Sequence, residues 1–452
     1  MNFIDRMFLL WYSTEAMAAA MPAGMVHFTV LCFPLGIATY VNTFVAQYHG
    51  AEQPRRIGLA VWQGVWIGLA ATPLFLATIP LAPPLFALAG HEPQIAALET
   101  TYYQVLTFGA GAEVIAAAMA GFFSGRGATL VVMAVDLSAA LLNCLLDYLL
   151  IFGHSGWPEM GMAGAAWATV AALWFRVAAY GLLMLGRGHR RRFATAAGCR
   201  LDRPLLRRLL AYGAPNGLQL LLEVMAFTIF ILLVGWLGRN AMAATTLAFN
   251  INSLAWVPML GLGIAVTTLV GQQLGRNRPD LAARGTWTAF GLAQAYLSTM
   301  ALLYVLVPDA FMFGHAAGAA GADFAALRDT AVVLLRFVAV YSLFDAMNLI
   351  FVSAIKGAGD TRFILATTAV TSPLPVAATW WGVRYAGGGL LWCWVVITVW
   401  IVLLALIYWG RFLQGHWRQM RVIEAEYLAG AGAQPSVVPP IEPPLPHPPE
   451  VF

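Results

Sequence analysis

Glu223, Asp345 and Tyr341 stand in stretches of the chain that carry almost no other charge, and Tyr341 precedes Asp345 by one helical turn. A carboxylate at the centre of a membrane-spanning helix costs about 2.5–3.5 kcal/mol on insertion scales, so each such acid needs a partner or a function. Around one interior space, two acids and a phenol offer hard oxygen ligands for Na⁺, chiefly Glu223 and Asp345, or a place for a shared proton. A hydrogen-bond network with no ion uses the same residue types, and spacing alone leaves that alternative open. The first half of the chain holds a second polar group. Asn143 and Asp147 are four residues apart and share a helix face. Glu113 and Asp136 are further acids in apolar surroundings, and Arg176 on the following helix suits Asp136 as a structural partner. His27 is the one histidine inside a span, where packing is the simpler role.

Membrane-spanning helices must position these groups. Hydrophobic residues make up 60% of the 452, charged residues 10%, and the mean hydropathy is +0.74. A soluble chain of this length needs far more surface charge, so the composition describes a polytopic membrane protein. At about 20 apolar residues per span, spans fall near 16–47, 57–79, 95–123, 129–152, 162–186, 209–237, 240–273, 283–307, 327–355, 361–385 and 388–410, after a stub at 1–10. Cys32, Cys144, Cys199 and Cys393 are too scattered for a metal site or a disulfide framework. The net charge of +4 gives no nucleic-acid signal, because the arginines lie beside spans. No HExxH or GxSxG motif and no His/Asp cluster in the spans suggests an enzyme.

The run VAQYHGAEQP ending at Pro54 returns as VGQQLGRNRP ending at Pro279, and a shift of 225 aligns residues 1–62 with 226–287 at sixteen identities. Later in the lobes the shift is 232, which pairs Glu113 with Asp345. Glu113 is thereby either a candidate cavity acid that attracts cationic substrate or a member of a local structural pair. A repeat of this length in an apolar chain points to a transporter of two similar bundles around a central site. Nineteen of the 25 Lys and Arg residues, among them Arg55, Arg126, Arg276 and Lys356, fall in alternate loops on one side. That side is expected to be cytoplasmic. With six helices per lobe, the two lobes share one orientation. The expected organisation is an N-lobe at 1–186, a basic cytoplasmic linker at 187–208, a C-lobe at 209–412 and a cytoplasmic tail at 413–452. Eight prolines in its last nineteen residues make that tail disordered and prone to polyproline II. Pro34, Pro215 and Pro258 lie inside spans and are candidate hinges. The C-lobe's first helix has its counterpart before Met1, so the first helix is expected to be largely missing, through a late start assignment or a true truncation.

LLNCLLDYLLIFGHSGWPEMGMAGAAWATV (141–170), the two Gln…Gly…Pro loops, and the Gly-rich pair GFFSGRGAT (121–129) and SAIKGAGDT (353–361) resemble multidrug and toxic compound extrusion (MATE) transporters over roughly residues 1–415. The second lobe is similar to the NorM branch. The resemblance implies an all-α, twelve-helix bundle of two six-helix lobes, and Na⁺- or H⁺-coupled export of amphiphilic, often cationic compounds by alternating access. It implies a C-lobe cation site at Glu223, Tyr341 and Asp345. Asp5, Asn143, Asp147 and Thr169 match the N-lobe cation site of the DinF-like branch, so the acids do not assign the chain to one branch. No cofactor is expected beyond the coupling ion. The expected form is a monomer in the lipid bilayer of the cell inner membrane, with small-molecule substrates and no nucleic-acid partner. A flippase for lipid-linked precursors is the alternative within the superfamily, but such proteins line the cavity with cations. An inactive scaffold is the alternative if the truncation is real.

Overall fold

The computed structural model describes residues 2–88, 92–316 and 321–429. In chain order the helices are α1 (Asn2–Tyr12), α2 (Thr14–Thr39), α3 (Val41–Gly50), α4 (Pro54–Leu76), α5 (Ala82–Leu88), α6 (Pro93–Ser124), α7 (Thr129–Phe152), α8 (Gly161–Met184) and α9 (Arg187–Phe193). The second half contains α10 (Arg203–Gly235), α11 (Arg239–Gly275), α12 (Pro279–Leu306), α13 (Pro308–Ala316), α14 (Gly321–Ala358), α15 (Thr361–Thr371), α16 (Pro373–Tyr385), α17 (Leu390–Gln414) and α18 (Glu426–Ala429). Among the described residues eleven helical segments are long and apolar enough to cross a membrane, and they coincide with the eleven spans read from the sequence. Large side chains such as Leu74, Leu130 and Leu182 are exposed on the outside, as a lipid-facing surface requires.

Helices α1–α8 form the N-lobe and α10–α17 the C-lobe. The N-lobe is knit by α6, which packs on α2, α4 and α8; the C-lobe is knit by α14, which packs on α11, α12 and α17. Small residues permit the close approaches, since helices in lipid associate by packing rather than by expelling water. Gly64 faces Ala118 across α4 and α6, for example. Prolines divide two of the expected spans. α2 ends at Thr39, five residues beyond Pro34, and a single turn at Tyr40 leads into α3. Pro373, which has no N–H to continue the ladder, separates α15 from α16. By contrast α10 runs through Pro215 and α11 through Pro258 without interruption. Pro258 cannot bond to the carbonyl of Leu254, and the Tyr296 hydroxyl donates to that carbonyl at 3.4 Å instead.

Two expected boundaries are corrected. The linker does not extend to residue 208, because α10 starts at Arg203, where the Asp202 carboxylate accepts from the Leu205 N–H at 3.0 Å and Pro204 opens the first turn. The linker is also fastened down: Trp62 Nε1 donates to the Thr195 carbonyl at 2.6 Å and Gln63 Nε2 to that of Arg200 at 3.0 Å. The tail is ordered well beyond residue 413. A strap from Gly415 to Ala429 crosses the arginine-rich face, with Trp417, Val422 and Ile423 buried. The physical reason is burial of these apolar side chains, Trp417 against Phe412 of the C-lobe and Val422 and Ile423 against the N-lobe and the start of α10. The proline-rich run from residue 433 lies outside the described residues.

Candidate functional site

In the N-lobe, α1, α7 and α8 bring four polar side chains together in a dry pocket. Asn143 and Asp147 are fully buried one turn apart on α7, and Asp5 of α1 is 2% exposed. Thr169 of α8 donates its hydroxyl to Asp5 Oδ2 at 3.1 Å. The Asp147 carboxyl lies against that of Asp5. Two carboxylates bring only acceptors to such a contact, so it becomes a hydrogen bond only when one of them carries a proton. Oδ1 of Asp5, both carboxyl oxygens of Asp147 and both amide atoms of Asn143 find no protein donor or acceptor among the described residues. Oxygen atoms of this kind, crowded and buried, suit a proton or a hard monovalent cation.

The C-lobe acids are arranged differently. Glu223 and Asp345 are half-buried, while Tyr341 is buried. Glu223 accepts from Gln219 Nε2, one turn earlier on α10, at 2.8 Å. Asp345 accepts from Asn348 Nδ2 on α14 at 3.3 Å, and Tyr341 is its electrostatic neighbour. No contact among the described residues joins Glu223 to Asp345: α10 packs on α2, α15 and α16, whereas α14 packs on α11, α12 and α17. The two acids of the expected Na⁺ site thus make no direct contact with each other. Instead Glu223 interacts with Lys356 and with Tyr408 of α17. Sequence reading missed Lys356 by assigning it to a loop. It occupies the last turn of α14, and the signal was its position just before the helix-ending Gly-rich motif.

Of the two roles open to Glu113, the structure shows the local pair, in which one guanidinium is shared with Asp136. Arg176 Nη1 lies 3.3 Å from its carboxylate, and Arg176 Nε donates to Asp136 at 3.0 Å. Tyr180 adds a 2.9 Å bond to the same Asp136 oxygen. The pairing has a simple cause, because α6 and α7 both pack on α8 and one guanidinium reaches an acid on each. His27 packs edge-on against Tyr103 at 6.2 Å. Pro34 and Pro215 flank the close crossing of α2 and α10, where Gly36 and Gly217 bring the two backbones together and Asn216 Nδ2 donates to the Gly36 carbonyl at 2.6 Å.

The lobes are joined by a crosswise set of bonds toward the arginine-rich face. Gln47 Nε2 donates to the Gly357 carbonyl at 3.0 Å, and its repeat mate Gln272 donates to the Gly125 carbonyl at 2.9 Å. Gly125 and Gly357 are mates at the shift of 232. Gly50 packs on Gln272 and Gly275 on Gln47, so each lobe's glycine seats the other lobe's glutamine. Asn42 Nδ2 adds a bond to Thr268 at 3.1 Å. The strap closes over this seam. The Val422 N–H donates to Gln47 Oε1 at 2.8 Å, Tyr48 donates to Glu424 at 2.7 Å, and Arg208 donates to the carbonyls of Val422 and Ile423 at 2.7 and 2.8 Å.

The fold and its buried acids define a polytopic helical membrane protein made of two lobes from a parallel internal repeat. The MatE family model matches residues 1–149 and 215–381. The chain belongs to that family, the multidrug and toxic compound extrusion family that its motifs resemble. The probable multidrug resistance protein NorM of Bradyrhizobium diazoefficiens is 30% identical over 396 residues, covering 85% of this chain and 83% of the relative. The multidrug resistance protein PmpM of Pseudomonas aeruginosa is 28% identical over 374 residues, covering 81% and 76%. A MATE family multidrug resistance transporter in an outward-facing conformation shares the fold, with a TM-score of 0.82 at 19% identity over 93% of this chain and 92% of that one.

Proposed function

We propose that this protein is a proton-coupled multidrug exporter of the cell inner membrane, closed in this structure at its cytoplasmic face. The observation that carries the reading is the buried carboxyl contact of Asp147 with Asp5, beside Asn143 and Thr169. Two carboxyl groups in contact share one proton directly, and that contact is what favours a proton here over a cation that would have to part them. The relatives' names support the choice of drugs as substrates. Positive-inside charge supports a cytoplasmic placement of the linker, the strap and the C-terminus.

In this reading the protein works as a monomer by alternating access. Protonation of the N-lobe pair removes the repulsion between Asp5 and Asp147 and changes how α1 and α7 pack. That change is linked to opening and closing of the lobes. The half-buried C-lobe acids Glu223 and Asp345 face amphiphilic, cationic substrates. Lys356 offsets the charge of Glu223, so Asp345 supplies most of the attraction for a cation.

The test is transport by the purified protein in proteoliposomes under separately imposed pH and Na⁺ gradients. A pH gradient alone is expected to drive export of a cationic dye, and Asp147→Asn is expected to stop it. Export driven by a Na⁺ gradient and indifferent to pH would overturn proton coupling.

A further inference from the structure

A cavity of about 340 Å³ opens on the arginine-rich face, lined by His49, Glu52, Pro54, Arg192, Phe193 and Arg276. Three separate parts of the chain build it. His49, Glu52 and Pro54 come from the turn between α3 and α4 of the N-lobe, Arg192 and Phe193 from α9 of the linker, and Arg276 from the end of α11 in the C-lobe. Arg126 stands behind the wall. Its guanidinium lies 3.9 Å from the Phe122 ring centre and 4.5 Å from that of Phe193, and its Nε donates to the Phe122 carbonyl at 2.7 Å. The charges of Arg126, Arg276 and Arg192 all act on the His49 ring.

Cations gathered in this way repel one another, and Glu52 is the one acid in the lining. Among the described residues neither Arg192 nor Arg276 forms an ion pair. Burial, and after it the charge of Arg192, lowers the Arg126 guanidinium to about 10. Arg192 and Arg276 are exposed, as are Arg55, Arg191 and Arg278 of the same face, but the first two line this cavity and the other three do not. An excess of guanidinium around a walled cavity is the arrangement that takes a phosphate, whose oxygens match the planar fork of each arginine. The buried Phe193 and the Pro54 ring add an apolar wall, which suits a phosphate ester.

We propose that this cavity binds a phosphate-type anion, and that the anion staples the two lobes together. The source is either an anionic phospholipid headgroup of the adjoining leaflet or free phosphate. Arg276 is next to Gly275, which packs on Gln47, and His49 is next to Gly50, which packs on Gln272. The cavity thus exists only while the lobes meet at this face. By linkage, an anion bound there favours the arrangement closed at this face. The effect on transport rests on the exporter reading above, while the binding itself does not.

The experiment measures thermal stability of the purified full chain, with spin-label distances between α3 and α11. One arm adds inorganic phosphate in detergent at ionic strength matched with chloride. The other compares lipid nanodiscs of phosphatidylglycerol with nanodiscs of phosphatidylcholine. At least one arm is expected to raise the melting temperature and narrow the distance distribution; the arm that responds identifies the source. Arg192→Gln and Arg276→Gln are expected to weaken binding about tenfold, Arg276→Lys to restore part of it, and Arg55→Gln to leave it unchanged. Equal responses of Arg55→Gln and the two cavity variants, or no response in either arm, would overturn the site. No transport is needed for this readout, so an intact anion response in a protein that fails to export drugs would refute the exporter reading and leave the cavity standing.

Discussion

The two lobes carry matching scaffolds and opposite treatments of buried charge. In the N-lobe each acid has a charged or acidic neighbour: Asp147 is fully buried against Asp5, and the partly exposed Glu113 and Asp136 share Arg176. In the C-lobe the acids are half-buried, and each is met by an amide, Gln219 for Glu223 and Asn348 for Asp345. The shift of 232 sharpens the contrast. It carries Glu113 onto Asp345, Asp136 onto Thr368 and Arg176 onto Tyr408. Thr368 and Tyr408 still touch, at 3.4 Å between hydroxyls, but the arginine and one acid of the N-lobe network are gone. Asp345 therefore has no guanidinium to neutralise it. Repeat identity is retained where the lobes meet each other, at Gln47/Gln272 and Gly50/Gly275, and lost where each lobe holds charge. A symmetric seam thus joins two chemically distinct halves.

The largest effect that tests this division is expected at Asp147. Asp147→Asn keeps the shape of the side chain but abolishes the carboxyl contact, and resistance in a pump-deficient host is expected to fall to that of the host alone with expression unchanged. Full resistance in this variant would place coupling elsewhere. In the C-lobe, Asp345→Asn is expected to lower resistance to cationic drugs several-fold, and Glu223→Gln to lower it less, because Lys356 already offsets that acid. The reverse order in dose–response curves would break the comparison between the two C-lobe acids.

At the seam the lobes are expected to behave alike. A Cβ at Gly50 or at Gly275 would collide with the facing glutamine carbonyl, Gln272 or Gln47. Each Gly→Ala variant is expected to lose about 1–3 kcal/mol through overpacking, by similar amounts in the two lobes. Gly24→Ala, where the added carbon meets nothing within 4 Å, is the control in thermal denaturation. Arg176→Gln tests the asymmetry instead. It strands Glu113 and Asp136, whose side chains keep 27% and 43% of their exposure, so solvent screens them and the loss is expected to be about 1–2 kcal/mol. Glu113→Gln in the same chain is expected to restore part of the melting temperature.

How much of this was legible in the residues follows from what each signal depends on. The eleven spans could be read because about 20 apolar residues in a row have few other uses. The Asp136–Arg176 pair was also readable, since consecutive antiparallel helices pack and both residues lie near one end. Glu113 was not, because its partner depends on where α6 passes α8. Asp202 and Pro204 announced the start of α10, but hydropathy registers the membrane-embedded turns of a helix and not its solvated ones. Lys356 read as a loop cation because a charge beside glycines looks solvent-facing, whereas its side chain interacts with Glu223 inside the bundle. The strap was hidden for another reason. Trp417, Val422, Ile423 and Tyr427 follow neither a helical nor a strand period; Trp417 stacks on Phe412 of α17, and the other three find partners only where the strap meets the N-lobe and the start of α10.

That strap is also where the symmetry of the seam ends, and it leads to the smallest expected effect. Gln47 receives a bond from Val422 in addition to its bond to Gly357, while among the described residues Gln272 bonds across the seam to Gly125 alone. The strap thus reinforces one of two equivalent contacts, fastening the C-lobe's last helix to the N-lobe through Tyr48 and Arg56, whose guanidinium lies 4.6 Å from the Tyr427 ring centre. Tyr48→Phe removes the bond to Glu424 and leaves the ring packed, so its stability cost is expected to be about 1 kcal/mol. A static brace would show that loss and nothing more. A latch that must release during each cycle would also show faster interchange between lobe arrangements in spin-label or single-molecule distance measurements. Unchanged interchange in Tyr48→Phe, with the small stability loss present, would make the strap a brace and leave the crosswise glutamines as the moving part of the seam.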